Sequence, residues 1–104
     1  MEENIVYNVT TKVAHSVAEQ WLQWMKQDHI PRMINTGCFT HAMILRLIEV
    51  DETEGKTYAI QYHADNKEHY NLYIENHSEK MSKIANAKWG GNIISFRSVL
   101  QVVN

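Results

Sequence analysis

The sequence predicts one small α+β domain, a four-stranded antiparallel sheet with two helices on one face. Three observations lead there: segments of strict period-two alternation, segments of helical period, and their order along the chain, strand–helix–strand–strand–helix–strand. A chain of 104 residues has room for one hydrophobic core, so residues 1–104 are read as a single domain.

The first strand spans 5–13, where Ile5, Tyr7 and Val9 alternate with Val6, Asn8 and Thr10. Ser16 and Glu19 then have capping-box spacing and open a helix carrying Val17, Trp21, Leu22, Trp24 and Met25. Pro31 marks its end or a kink, because proline lacks a donor and crowds the preceding turn; a continuation through Met33 and Ile34 closes at Gly37. Residues 39–50 and 57–64 read as two strands joined by the polar, glycine-containing loop 51–56. Asp65 and Glu68 repeat the capping spacing. Tyr70, Ile74, His77, Met81, Ile84 and Lys88 then mark one helix face, with Tyr73 and Ala85 beside it. Gly90 and Gly91 stop that helix, and 93–103 is the fourth strand.

This order is the split βαβ pattern of a ferredoxin-like βαββαβ sandwich. Two helices cover one face of such a sheet, so the other is wet or covered by something else. Period two sorts the side chains. Tyr7, Tyr58, Met43 and Phe96, with the residues in phase with each, are placed towards the helices. The helix-free face then gathers Asn8, Arg46, Gln61, His63, Ser95 and Arg97 among Val6, Ile44, Ile48, Ala59 and Val99. Apolar residues among convergent polar groups describe a pocket or a dimer interface. Two arginines suit a carboxylate or another anion, so Asn8, Arg46, Gln61 and Arg97 are the candidate ligand-binding residues. The plainer reading is a packed homodimer with both arginines paired at its rim.

His29 is the candidate acid or base, since imidazole titrates near neutrality and this one sits at a helix end; the alternative is a histidine placed there by the helix dipole alone. His63 is a second candidate that could pair with it. His15, His41, His69 and His77 show no metal-ligand spacing, so neither metal nor other cofactor is expected, haem being a remote option. Trp21, Trp24, Trp89 and the methionines read as core, and Cys38, the only cysteine, as a buried thiol.

A net charge of −2 and a pI near 6.3 argue against a nucleic-acid or anionic-membrane partner. Lys56-Thr57-Tyr58-Ala59-Ile60-Gln61-Tyr62 is a near miss to an RNA-recognition strand, lacking its glycine. Thr11-Lys12-Val13-Ala14-His15 offers neither the arginine nor the glycine-rich loop of an acylphosphatase. The chain carries no apolar run long enough for a membrane span and no signal-peptide pattern at its acidic start, so a cytoplasmic location is expected.

The chain resembles a bacterial family of uncharacterised proteins of about this length. The resemblance rests on Ile5-Val6-Tyr7-Asn8-Val9-Thr10, Trp21-Leu22 with Trp24-Met25, His29-Ile30-Pro31, Thr36-Gly37-Cys38-Phe39, Tyr58-Ala59-Ile60-Gln61-Tyr62 and Phe96-Arg97-Ser98-Val99-Leu100. More loosely, the aromatic first helix ending in His29-x-Pro31 is similar to that of EthD-like proteins of the dimeric α+β-barrel superfamily. There, two ferredoxin-like protomers join their open sheet faces and often enclose a small-molecule site. The helix-free face, taken with this resemblance, leads to the expectation of a homodimeric binding or interaction protein that holds a small, partly apolar anionic or aromatic ligand on that face. The alternative that the superfamily resemblance implies is a cofactor-independent monooxygenase or isomerase with His29 as acid or base.

Overall fold

The computed structural model describes residues 4–104, so the acidic start of the chain, residues 1–3, lies outside the described residues. Strand β1 (Ile5–Ala14) leads through a 3₁₀ turn at His15–Val17 into α1 (Ala18–Trp24), a wide π turn (Met25–His29) and α2 (Ile30–Ile34). Strands β2 (His41–Arg46) and β3 (Gly55–Ala64) follow, then α3 (Lys67–Asn76), α4 (Ser78–Trp89) and β4 (Ile93–Gln101). The sheet order is β2-β3-β1-β4 and every pairing is antiparallel. The expected ferredoxin-like sandwich is the fold. Strand β1, rich in β-branched residues and free of proline, takes a central place with a ladder on each side.

Between sheet and helices the core is aromatic. The Tyr7 ring meets Phe39, Tyr62, Tyr70 and Tyr73 at centroid separations of 5.4 to 6.1 Å. Trp21 stacks on Tyr58 at 5.3 Å, and Trp24 meets Trp89 edge-on at 5.7 Å. Offset and tilted contacts of this kind add to the area that such rings bury. Cys38 is buried, as expected of a structural thiol.

Several element boundaries and caps depart from the sequence reading. Ser16 makes no capping bond, because the chain enters α1 through the 3₁₀ turn. Asn66, not Asp65, caps α3: its side-chain oxygen accepts from the His69 N–H at 2.9 Å. The second helical segment is interrupted at His77, and Tyr73 rather than Ile74 is the buried residue of α3, with Met81 and Trp89 buried on α4. Strand β2 stops at Arg46, because Glu49 has a positive φ of 60° and Asp51 closes a tight turn on the Thr53 N–H at 2.9 Å.

The larger departure concerns which row of a strand faces inward. Tyr7 lies opposite Tyr62 on β3 and Val99 on β4, and Val9 lies opposite Ile60 and Arg97. Arg97 and Ser95 therefore face the helices, while Ile94, Phe96 and Leu100 face away. On β2, Ile44 and Arg46 lie opposite Ile60 and Tyr58, so Met43 and Leu45 face away. The rows assigned to β1 and β3 stand, and those assigned to β2 and β4 are exchanged. Alternation sorts residues into rows correctly, but hydrophobicity selects the inward row only when the outward one meets water.

Gly55 tightens the hairpin where β3 begins. A Cβ at that position would run into the Val13 carbonyl on the neighbouring strand. Gly55→Ala is expected to cost about 1–3 kcal/mol, the usual range for overpacking a close approach, measurable as a lowered urea midpoint with unchanged slope.

Candidate functional site

The segment 18–34 is one helix with a local widening. Pro31 has no N–H to donate to Gln27, and its ring crowds that carbonyl. Just before it the ladder slips to five-residue bonds, the Ile30 N–H reaching the Met25 carbonyl. Residues five apart on a regular α-helix lie roughly 140° apart around its axis. The wider turn brings Trp24 and His29 towards the same side, and their rings stack at 4.7 Å with 24° between planes. It also keeps Trp21, Met25, His29 and Met33, spaced by four, in one buried row.

That row forms one wall of a cleft of about 230 Å³ between the helices and the sheet. Tyr7, Val9 and Thr11 of β1 form its floor, Met81, Ser82 and Asn86 of α4 the facing wall, and Ser95 and Arg97 of edge strand β4 its exposed side. Arg97 donates from Nε to the Tyr7 hydroxyl at 2.8 Å and from Nη2 to Ser82 Oγ at 2.7 Å. Thr11 and Ser95 share a hydroxyl–hydroxyl bond of 2.9 Å. Among the described residues no carboxylate pairs with Arg97.

His29 is 9% exposed, and its Nδ1 has no hydrogen-bond partner. Burial pushes its pKa down to about 4; Asp28 works against the shift, but Arg32, paired with Asp28 at 3.0 Å, adds to it. The ring is thus neutral at pH 7. Burial likewise raises the Tyr7 phenol, with Arg97 partly opposing, so that hydroxyl keeps its proton.

The residues expected to form one site are divided by the sheet. Asn8, Gln61 and His63 do lie on the helix-free face, Asn8 directly across from Gln61. Arg46 and Arg97 do not. Arg46 stands on the helix side of edge strand β2 and pairs with Glu52 at 2.7 Å; Arg97 enters the cleft. An anion site built from both arginines on the helix-free face is therefore not assembled, because both strands carrying them present the opposite row. His29 and His63 lie on opposite sides of the sheet and cannot pair. His63 stacks instead on His41 at 4.3 Å, and burial with that neighbour lowers its pKa.

Sequence reasoning missed Tyr7, Ser82, Ser95 and Asn86 as cleft residues. Two spacing signals point to this site: the four-residue steps from Trp21 to Met33, and Ser82 with Asn86 one turn apart on α4. The helix-free face has a different character. Met43, Leu45, Ile94, Phe96 and Leu100 are exposed there, Phe96 at 68%. The titratable side chains that the strands place on it are Lys12, His41 and His63.

A four-stranded antiparallel sheet of order β2-β3-β1-β4 under one helical layer defines a ferredoxin-like domain. The chain belongs to the family described as Domain of unknown function (DUF4286), which matches residues 4–103. It is similar to a dimeric ferredoxin-like protein from an uncultured marine organism, at 11% identity and a TM-score of 0.74, over 99% of this chain and 98% of that one. It is also similar to a dimeric ferredoxin-like protein of unknown function from Thermobifida fusca YX, at 11% identity and a TM-score of 0.59, over 100% and 93%. No curated protein matches the chain. Among the described residues, no group of three or more His, Cys, Asp or Glu side chains could hold a metal ion, and no helix is long and apolar enough to cross a membrane.

The buried, neutral His29 links stability to pH. The unfolded chain takes up a proton near pH 6.5, the folded one only near 4, so stability falls as pH drops through that window. The loss reaches about 3 kcal/mol at most. Urea titrations at pH 7 and pH 4.5 are expected to show this gap in the wild type and a markedly smaller one in His29→Leu.

Proposed function

We propose that the protein is a homodimer which pairs the helix-free faces of two sheets and holds a small molecule in the cleft of each copy. One observation carries this: the edge strands β2 and β4 turn large apolar side chains (Met43, Leu45, Ile94, Phe96 and Leu100) outward and exposed while Arg46, Ser95 and Arg97 point towards the helices, the reverse of edge strands on a sheet with one wet face. Large apolar residues gathered on one face mark an interaction surface. Because the strands place no carboxylate on that face, it resembles the apolar centre of an interface more than a charged rim. The two similar structures are described as dimeric, which supports a second copy as the occupant. Asn8, Gln61 and His63 then belong to the dimer face, and Arg97 and His29 to the ligand. Arg46, satisfied by Glu52, has no part in either. A cytoplasmic location goes with this reading, and neither nucleic acid nor membrane enters it as a partner.

A second reading, a cofactor-independent monooxygenase or isomerase, draws on His29 in the cleft with Nδ1 unpartnered. Binding stands ahead of catalysis because an imidazole with a pKa of about 4 is a weak base at neutral pH. The phenols lining the cleft are pushed upward by burial as well.

Native mass spectrometry of gently purified protein tests the proposal: a dimer carrying a small additional mass is expected, and a clean monomer at micromolar concentration would remove the paired sheets. Light scattering checks the face itself. Phe96→Glu combined with Leu45→Glu is expected to give a folded monomer by circular dichroism, whereas Ile74→Glu, an exposed helix position, leaves the dimer intact.

A further inference from the structure

We infer that the ligand of the cleft is a small aromatic carboxylic acid bearing a hydroxyl group, its carboxylate held by Arg97. The inference rests on the cleft reading above and adds the chemical class. Three groups meet at the exposed side: Arg97, the Tyr7 hydroxyl and Ser82. Both hydroxyls spend acceptor capacity on the guanidinium, so each keeps its own proton to donate. The guanidinium spends Nε and one N–H of Nη2 on them. Its outer edge, Nη1 with the other N–H of Nη2, remains as a two-pronged donor. A cluster rich in donors, with a positive charge that no carboxylate of the described residues neutralises, is made for an oxyanion. A single guanidinium balances a monoanion, which favours carboxylate over a doubly charged phosphate ester.

The rest of the cleft sets the body of the ligand. Trp21, Trp24, Met25 and Met81 offer flat and pliable apolar surface. A volume of about 230 Å³ falls below the usual range for drug-sized ligands, about 300–1,000 Å³, which restricts the body to something near one ring. His29, more than nine-tenths buried and lining the same cleft, has a ring nitrogen without a protein partner. Buried polar atoms are nearly always satisfied, so the ligand brings a hydrogen-bonding group besides its carboxylate, and a ring hydroxyl meets a neutral imidazole as donor or acceptor.

Isothermal titration calorimetry at pH 7.5 with 4-hydroxyphenylacetate, phenylacetate and the neutral 4-hydroxyphenylacetamide tests this. The hydroxy acid is expected to bind at least tenfold more tightly than the amide. In Arg97→Gln the acid and the amide should bind alike, and Arg97→Lys, which keeps the charge and loses the fork, should fall between. His29→Phe should erase the preference for the hydroxy acid over phenylacetate, and Arg46→Gln should change nothing. Equal binding of acid and amide by the wild type, or undiminished acid binding by Arg97→Gln, would overturn the inference. If none of the three binds at 5 mM while native mass spectrometry shows a different bound mass, the ligand class is wrong and the cleft reading stands. If none binds and no mass is carried, both fall.

Discussion

The side chain of Tyr7 belongs to two systems at once. Its ring is the hub of the aromatic cluster that joins β1 to Phe39, β3 and α3, and its hydroxyl accepts the Arg97 Nε–H. A buried phenol needs a partner for its oxygen, and the neighbouring strand supplies one only if β4 pairs so that Arg97 points inward. That register places Ser95 beside Thr11 and turns Ile94, Phe96 and Leu100 outward. One hydrogen bond is thus consistent with three features: the polar side of the cleft, the fit of α4 through Ser82, and the apolar character of the opposite face.

Pro31 acts on the same cleft from the other side. By removing a donor within a helix that continues past it, it sets the place where the backbone widens. The widening decides that His29, an otherwise ordinary helix residue, is carried into the interior on the row begun by Trp21. The two halves of the candidate site therefore depend on backbone events, a strand register and a helix irregularity, more than on any motif of reactive residues.

This explains how much the sequence disclosed. Element order, the inward rows of β1 and β3, the role of Gly90 and the buried Cys38 were all legible, because period, β-branching and glycine act locally. The rows of β2 and β4 were not. A strand such as Ile94–Leu100 offers two alternating sets, and hydrophobicity alone selects the apolar one as inward; Phe96 points outward and Arg97 inward in the register that brings Arg97 to the Tyr7 hydroxyl. His29 was legible as a candidate, but its position was misjudged: it read as a helix end because proline commonly terminates helices, whereas here the helix widens and goes on. Arg46 was misplaced with its strand, and its partner Glu52 lies in a loop whose turn begins at a left-handed Glu49 that period alone does not reveal.

The stack of Trp24 on His29 has an optical consequence. An indole face in contact with an imidazole senses that ring's charge, since a cation over the face interacts with the π system far more strongly than a neutral ring does. The emission of Trp24 therefore reports on the interior of the cleft from within, changing when His29 gains a proton or exchanges its surroundings for another molecule. Trp21 and Trp89, which do not stack on a histidine, contribute a steadier background. The domain thus carries its own fluorescent gauge at the one point where helix irregularity, buried histidine and cleft coincide.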